Sequence, residues 1–176
     1  MNLYFSPHNG AETLYGAYTL MVHQPRVIVV LRSFMQEYWN PSVTYQTREA
    51  ETDAAMRYLG IDWTQWDHPD DTPNWYEIEQ DMRACDGDDL DIVYAPEVVD
   101  HGHPHFNWIG ALADEIFDNR VIHYCTRTTS KLCFPVTPDL EQRKIRALAY
   151  YQSQVSHPYV YDLYERSLDE FYADQA

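Results

Sequence analysis

The run Val27-Ile28-Val29-Val30-Leu31 limits the possible folds of this chain more than any other segment. It contains no polar residue and is rich in β-branched side chains, which is typical of a strand buried on both faces. Such strands occur in parallel sheets that helices cover on both sides. We therefore predict a strand over residues 26–32 in the interior of a parallel sheet.

The rest of the chain alternates between strand and helix patterns. Further strands are predicted over residues 2–5, 61–66, 91–95, 121–126 and 129–134. Helices are predicted over residues 12–23, 45–59, 75–84, 106–117, 138–152 and 159–172, with loops over 33–44 and 96–104. This alternation predicts a single Rossmann-like α/β domain over residues 1–176, with a mostly parallel sheet flanked by helices.

Charge and cysteine content exclude several classes of partner. The net charge is −16 and the lysines are Lys131 and Lys144, so we expect no nucleic acid bound through a basic patch and no membrane partner. Cys85, Cys125 and Cys133 lack metal-binding spacing. No stretch has the length of a membrane span or the pattern of a signal peptide. These features predict a cytoplasmic protein with reduced thiols.

A histidine lies where the first predicted strand gives way to a helix, in the stretch His8-Asn9-Gly10-Ala11-Glu12. The stretch resembles the His-Pro-Asp-Asp-Glu motif of the LmbE/PIG-L family of zinc-dependent N-deacetylases. The resemblance places His8 on the family's first metal ligand and Glu12 on its trailing glutamate. Gly10 stands where the family has its general-base aspartate, and Ala11 where it has a ligand aspartate.

Two later segments extend the resemblance over nearly the whole chain. Arg48-Glu49-Ala50-Glu51 with Leu59-Gly60 is similar to the family's Arg-x-x-Glu helix ending in Leu-Gly. Lys144-Ile145-Arg146-Ala147-Leu148 and Tyr151-Gln152-Ser153-Gln154 are similar to its closing segment. The resemblance implies the LmbE/PIG-L fold. The spacing of Arg48 and Glu51 also suits an ordinary helical ion pair.

The histidine-rich segment His101-Gly102-His103-Pro104-His105-Phe106 carries the last part of the resemblance. Counting back from Gly110 places Phe106 on the position of the family's remaining metal ligand. His103 then matches the family's other active-site histidine, and His105 falls on its aspartate. The resemblance implies catalytic roles for His103 and Glu12. It also implies a pocket, which is lined by Gly10, Ala11, Arg48, Asp100 and Phe106.

Two functions are compatible with these residues. The first interpretation is a protein with a degenerate zinc site and no cofactor, which binds a small polar ligand such as an amino sugar or serves in an assembly. The alternative is an active metal-dependent deacetylase of N-acetyl amino sugars or related amines, with a relocated zinc site. The relocated zinc would be held by His8 with His101 or His105, and by Asp100 or Glu12. Spacing alone does not choose among these sets.

A string similar to the family motif, Asp67-His68-Pro69-Asp70-Asp71, follows the third predicted strand. Thr72-Pro73 comes next, whereas a helix directly follows the motif in the family. We therefore interpret the string as a loop at the rim of the pocket rather than as a displaced catalytic centre.

Overall fold

The computed structural model describes residues 1–34, 40–128, 130, 132–155 and 168–173. Its strands are Asn2–Ser6 (β1), Arg26–Arg32 (β2), Trp63–Pro69 (β3), Ile92–Pro96 (β4), Val121–Tyr124 (β5), Leu132–Cys133 (β6) and Phe171–Tyr172 (β7). Its helices are Ala11–His23 (α1), Tyr45–Leu59 (α2), Trp75–Ala84 (α3), Pro104–Phe117 (α4), Pro138–Leu148 (α5) and Gln152–Val155 (α6), with a 3-10 helix at Asp118–Arg120. None of these helices has both the length and the apolar character needed to cross a membrane.

The strands form one sheet in the order β3-β2-β1-β4-β5-β7-β6. β1 to β5 are parallel, and β7 pairs antiparallel with β5 and β6. The strand order reverses at β1, which has β2 on one side and β4 on the other. Open α/β sheets bind ligands at such a reversal, beyond the carboxyl ends of the strands. The predicted mostly parallel α/β sheet is confirmed, and the turns after β1 and β4 are neighbours.

Both faces of the sheet are buried, as the apolar run in β2 predicts. Residues of β1 alternate between two core clusters: Tyr4 packs with α1, α2 and α5, whereas Leu3 and Phe5 pack with α3 and α4. The five residues of the β2 run are at most 3% exposed. Burial of one such side chain contributes about 1.5–3 kcal/mol. The two packed layers therefore fix the strand ends that carry the site.

Two predicted boundaries beside the site are wrong. β3 continues to Pro69 instead of ending at 66, because its pairing with β2 resumes at Leu31 and His68 after a register shift. α4 begins at Pro104 instead of 106, since proline suits the first turn of a helix. The side chain of the preceding residue, His103, caps α4 by accepting a hydrogen bond from the backbone of the helix. Both shifts move histidines onto the ends of regular elements.

The C-terminal part departs furthest from the prediction. α5 ends at Leu148 rather than 152. Residues 159–167 of the predicted tail helix lie outside the described residues, and the end of that helix is wrong because β7 is a strand. Glu170 accepts hydrogen bonds from Nζ of Lys144 at 2.8 Å and from the backbone N–H of Tyr18 at 2.9 Å. These hydrogen bonds connect the segment before β7 to α1 and α5. Both members of the ion pair are buried.

Candidate functional site

The first turn of the site joins β1 to α1. β1 ends at Ser6, α1 begins at Ala11, and Gly10 caps the helix with φ 93°. This φ lies in the left-handed region, which glycine adopts without steric cost. The turn leaves the side chain of His8 20% exposed at the carboxyl edge of β1. His8 is therefore held by a sharp turn and remains accessible.

The turn between β4 and α4 brings two further histidines to His8. The Nε2 atom of His8 lies 2.9 Å from Nδ1 of His105, and the ring centroids of His8 and His103 are 5.5 Å apart. Ligand nitrogens of the three rings, one from each, all lie within 4.8 Å of one another. In the described part of the chain, no other group of three metal-ligating side chains is this compact. We call these three residues the histidine triad.

The chemistry of the histidine triad fits a zinc-class ion. Two nitrogen ligands of tetrahedral zinc lie about 3.3 Å apart, close to the 2.9 Å between His8 and His105. Burial lowers the pKa of His8 well below its ordinary value, and neighbouring His105 and His103 lower it further. Burial also lowers the pKa of His103, and it lowers that of His105 to about 4. Each of these shifts favours the neutral form of the ring, which is the form that binds metal.

Gly10, which the resemblance aligns with the family's general base, has little room for a side chain. A Cβ atom on Gly10 would lie 3.2 Å from Nη2 of Arg48 and 3.3 Å from Cδ1 of Tyr151. These contacts are tight, and the left-handed φ of Gly10 adds strain to any substitution. Arg48 and Tyr151 thus occupy the space beside Cα of Gly10.

The two positions that the resemblance aligns with family ligands, Ala11 and Phe106, carry apolar side chains. Ala11 is buried at the first position of α1. The ring of Phe106 lies against the triad, with centroid distances of 6.0 Å to His8 and 5.6 Å to His103. An apolar ring at this place offers no ligand atom, so a metal held here depends on the triad.

Glu12 is buried next to the turn between β1 and α1. It is fully buried and accepts hydrogen bonds from the hydroxyl of Ser6 at 3.1 Å and that of Tyr151 at 2.5 Å. The backbone N–H of Gly10 lies 3.0 Å from both carboxylate oxygens. Burial raises the pKa of Glu12, against the opposite effect of these hydrogen bonds. The carboxylate holds the turn that carries His8, and its catalytic role stays a prediction.

Arg48 connects three of the segments that carry the family resemblance. Its Nη1 atom donates to Oε2 of Glu51 at 3.0 Å and to Oγ of Ser153 at 3.1 Å. Its Nη2 atom donates to the backbone carbonyl of Asn9. Arg48 is buried, so this network holds the turn between β1 and α1 against α2 and the segment that carries Ser153. The helical pair of Arg48 with Glu51 is one of the two roles expected from the sequence.

Three of the expected metal ligands, His101, Asp100 and Glu12, lie outside the histidine triad. His101 is exposed, has a φ of 60°, and accepts a hydrogen bond from Arg127 through its backbone carbonyl at 3.4 Å. Asp100 is exposed in the same turn. Of the ligands expected for a relocated metal, the structure brings His8 and His105 together. His103 completes the group in place of the expected carboxylate, Asp100 or Glu12.

Sequence reasoning missed two neighbours of the triad. Oδ2 of Asp70 lies 3.8 Å from Nδ1 of His8, although the string 67–71 is expected only at the rim. Trp75 lies 5.9 Å from His105 between ring centroids and stacks on Trp108 at 5.2 Å. The repeated motif was the signal for Asp70, whereas no pattern in the sequence signals the tryptophan pair.

Comparison with known proteins identifies the fold. No family model and no curated protein matches the sequence. N,N'-diacetylchitobiose deacetylase from Pyrococcus horikoshii matches the structure with a TM-score of 0.75 at 17% identity, over 95% of this chain and 74% of that one. A triple mutant of a deacetylase involved in the teicoplanin biosynthetic pathway matches with 0.76 at 16% identity, over 94% and 88%. The 4-carboxy-2-hydroxymuconate hydratase from Pseudomonas putida KT2440 matches with 0.71 at 14% identity, over 94% and 82%.

The molecule is thus a Rossmann-like α/β protein with a histidine triad on the turns after its first and fourth strands. Its fold is that of the LmbE/PIG-L deacetylases, which confirms the fold implied by the sequence resemblance. The neighbours include deacetylases and a hydratase, so the fold alone does not determine the reaction.

Proposed function

We propose that the chain is a metal-dependent hydrolase of N-acyl amines whose metal site has moved to the histidine triad. The convergence of three imidazoles at the ends of β1 and β4 carries this proposal. Of the two functions considered from the sequence, the proposal is therefore the metal-dependent deacetylase and not the metal-free binding protein. The deacetylases among the structural neighbours support the reaction class.

His8, His103 and His105 would hold the ion. An ion of the zinc class polarises an amide carbonyl and acidifies water. Three neutral imidazoles leave the ion its whole charge, whereas an aspartate at position 11 would cancel part of it. A more positive centre needs less help from a base to activate water. The histidine set therefore offsets the missing side chain at position 10.

The tryptophan pair beside His105 supports an amino-sugar-like substrate. Trp75 and Trp108 are stacked with 12° between their planes, and Trp108 is 50% exposed. Sites for small molecules combine apolar aromatic walls with a few polar groups that fix orientation. Here the pair would contact the ring of the substrate while the triad faces its N-acyl group. The net charge of −16 favours a neutral substrate over an anionic one.

A metal-free binding protein is the second candidate. It is favoured by the ring of Phe106, which lies against two triad histidines and supplies an apolar surface where the family has a ligand. In that case the triad would bind a small polar ligand through hydrogen bonds of its imidazoles. The two candidates differ in whether zinc is retained.

Metal analysis of protein purified without chelator tests the proposal. We expect about one equivalent of zinc per chain, as in other single-ion sites. Acetate release from N-acetylglucosamine-type substrates should proceed on the order of 1 per second or faster, stop after chelation and return with added zinc. Protein that retains zinc without releasing acetate would contradict the reaction class. Protein that binds N-acetylglucosamine but no zinc would establish the metal-free binder.

A further inference from the structure

One carboxylate of the string Asp67-His68-Pro69-Asp70-Asp71, that of Asp70, lies next to His8 of the histidine triad. Asp70 follows the last residue of β3 and is 6% exposed. Its backbone N–H donates to the carbonyl of Arg32 at 3.1 Å, and its Oδ1 atom accepts from the backbone N–H of Phe34 at 2.8 Å. These bonds anchor Asp70 to the end of β2 and fix the direction of its carboxylate.

The second oxygen of Asp70 faces His8. Oδ2 of Asp70 lies 3.8 Å from Nδ1 of His8, and the other ring nitrogen, Nε2, lies 2.9 Å from Nδ1 of His105. One ring nitrogen of His8 therefore faces the carboxylate of Asp70, and the other faces His105. His68, in the same string, instead contacts Asp81 at 2.8 Å.

The charge of Asp70 favours one tautomer of His8. The carboxylate attracts a proton on Nδ1, which leaves the lone pair on Nε2 for a metal ion. Because Asp70 is buried and His8 is partly buried, water screens their attraction only weakly. A cation at Nε2 makes the proton on Nδ1 more positive and so strengthens the attraction to Asp70.

We propose that Asp70 is a positioning residue of the metal site, which holds His8 in the tautomer and orientation that turn Nε2 toward His103 and His105. This inference rests on the proposed function, since it requires a metal at the triad. It gives the repeated motif a role: its carboxylate supports the ligand histidine of the first turn from a different strand.

The variant Asp70→Asn tests this role. Asparagine keeps an oxygen for the N–H of Phe34 and loses the charge that faces His8. Loss of such a partner weakens metal binding by about 10–100-fold, measured as the zinc dissociation constant by competition with a chromophoric chelator. Asp71→Asn is the matched control, because Asp71 is the adjacent exposed carboxylate of the same string. We expect its zinc affinity to stay within about twofold of the unmodified chain, since exposed charges are largely screened.

The His8→Ala background separates positioning from general support of the fold. If Asp70 acts through His8, Asp70→Asn causes no further loss of zinc affinity once His8 is absent. A further loss of the same size in that background would overturn the proposal. Absorption of the cobalt-loaded protein gives a second readout, and Asp70→Ser replaces Asp70→Asn should the latter fail to fold.

The outcomes distinguish this inference from the proposed function. Unmodified protein that binds zinc, together with an Asp70→Asn variant of equal affinity, would overturn the positioning role alone. Unmodified protein that binds no zinc would overturn both.

Discussion

The Nε2 atom of His8 lies 2.9 Å from Nδ1 of His105, although the two residues are 97 positions apart in the sequence. The contact exists because β1 and β4 are neighbours in the sheet and each is followed by a turn into a helix. Without metal, one nitrogen donates a hydrogen bond to the other. A metal ion would take the place of the shared proton, so the same contact serves either state.

The histidine triad predicts which histidines determine zinc affinity. His105→Ala removes a ligand and should weaken zinc binding by at least about 100-fold, more than the loss of an outer partner. His101→Ala should leave the affinity unchanged, because His101 is exposed and lies outside the triad. Competition titrations of both variants test the prediction. The reverse ranking would show that the metal uses His101, as one of the sets expected from the sequence requires.

Two glycines with left-handed φ predict how tightly the first turn is packed. Gly60 has a φ of 76° and open space beside its Cα atom, because a Cβ atom added there would meet nothing within 4 Å. Gly60→Ala should therefore cost only the backbone strain, about 1–2 kcal/mol of unfolding free energy. Gly10→Ala should cost about 2–4 kcal/mol, because Arg48 and Tyr151 must also move. Urea denaturation measures both, and equal costs would contradict the close packing at Gly10.

The same packing changes what restoring the family motif would do. By the resemblance, Gly10→Asp, Ala11→Asp and Phe106→His together resupply the base and both ligands. The structure predicts that Gly10→Asp destabilises the turn, because a side chain at 10 meets Arg48 and Tyr151. The two other changes, at buried Ala11 and beside the triad, carry no such strain from a left-handed φ.

Local patterns predicted most of the sheet and the helices around it. The apolar run of β2 and the glycine that caps α2 are properties of short segments, so they are visible in the sequence. The family resemblance also predicted the fold correctly, and Arg48 joins three of its segments through Asn9 and Ser153. Patterns that depend on one strand or one helix were sufficient here.

The sequence did not predict which side chains meet at the site, because this depends on contacts between distant elements. His103 joins the triad because α4 begins at Pro104, a boundary that shifted by two residues from the prediction. Asp70 reaches His8 because β3 pairs with β2 past a register shift. The predicted tail helix is replaced at its end by strand β7, and Glu170, just before β7, is held by its buried ion pair with Lys144. No local pattern in the sequence specifies the partners in these contacts.

The buried ion pair between Lys144 and Glu170 predicts a large effect of mutation on stability. Lys144→Met leaves Glu170 buried without its cation and should lower the unfolding free energy by about 3–5 kcal/mol. The double variant with Glu170→Gln should recover part of this loss, because no uncompensated charge remains. Arg57→Met is the control: it removes an exposed pair with Asp53 and should cost at most about 1 kcal/mol. Similar costs for Lys144→Met and Arg57→Met would show that the C-terminal segment contributes little.

Glu97 predicts a loss of stability at low pH. Its side chain is buried at the end of β4 and accepts hydrogen bonds from the backbone N–H groups of Thr126, Arg127 and Thr128 at 2.5, 2.7 and 3.1 Å. Burial raises the pKa of Glu97, but hydrogen bonds from the hydroxyl of Thr128 and these N–H groups outweigh it, so the pKa is lowered. A carboxyl with a lower pKa in the folded protein stabilises it fully above its unfolded pKa, about 4.3. That contribution disappears as the pH falls through the folded pKa.

Glu97→Gln should therefore cost about 1–3 kcal/mol of unfolding free energy at pH 7, with the difference from the unmodified chain shrinking as the solution becomes acidic. The cause is the loss of charge-assisted hydrogen bonds that hold the loop after β5, whose Arg127 contacts the backbone of His101. Urea denaturation at pH 7 and at steps down to pH values around 3 measures the difference below the ordinary glutamate pKa. Glu115→Gln is the control, because its exposed pair with Arg83 should contribute at most about 1 kcal/mol. A Glu97→Gln cost that stays constant with pH would contradict the role of the charge.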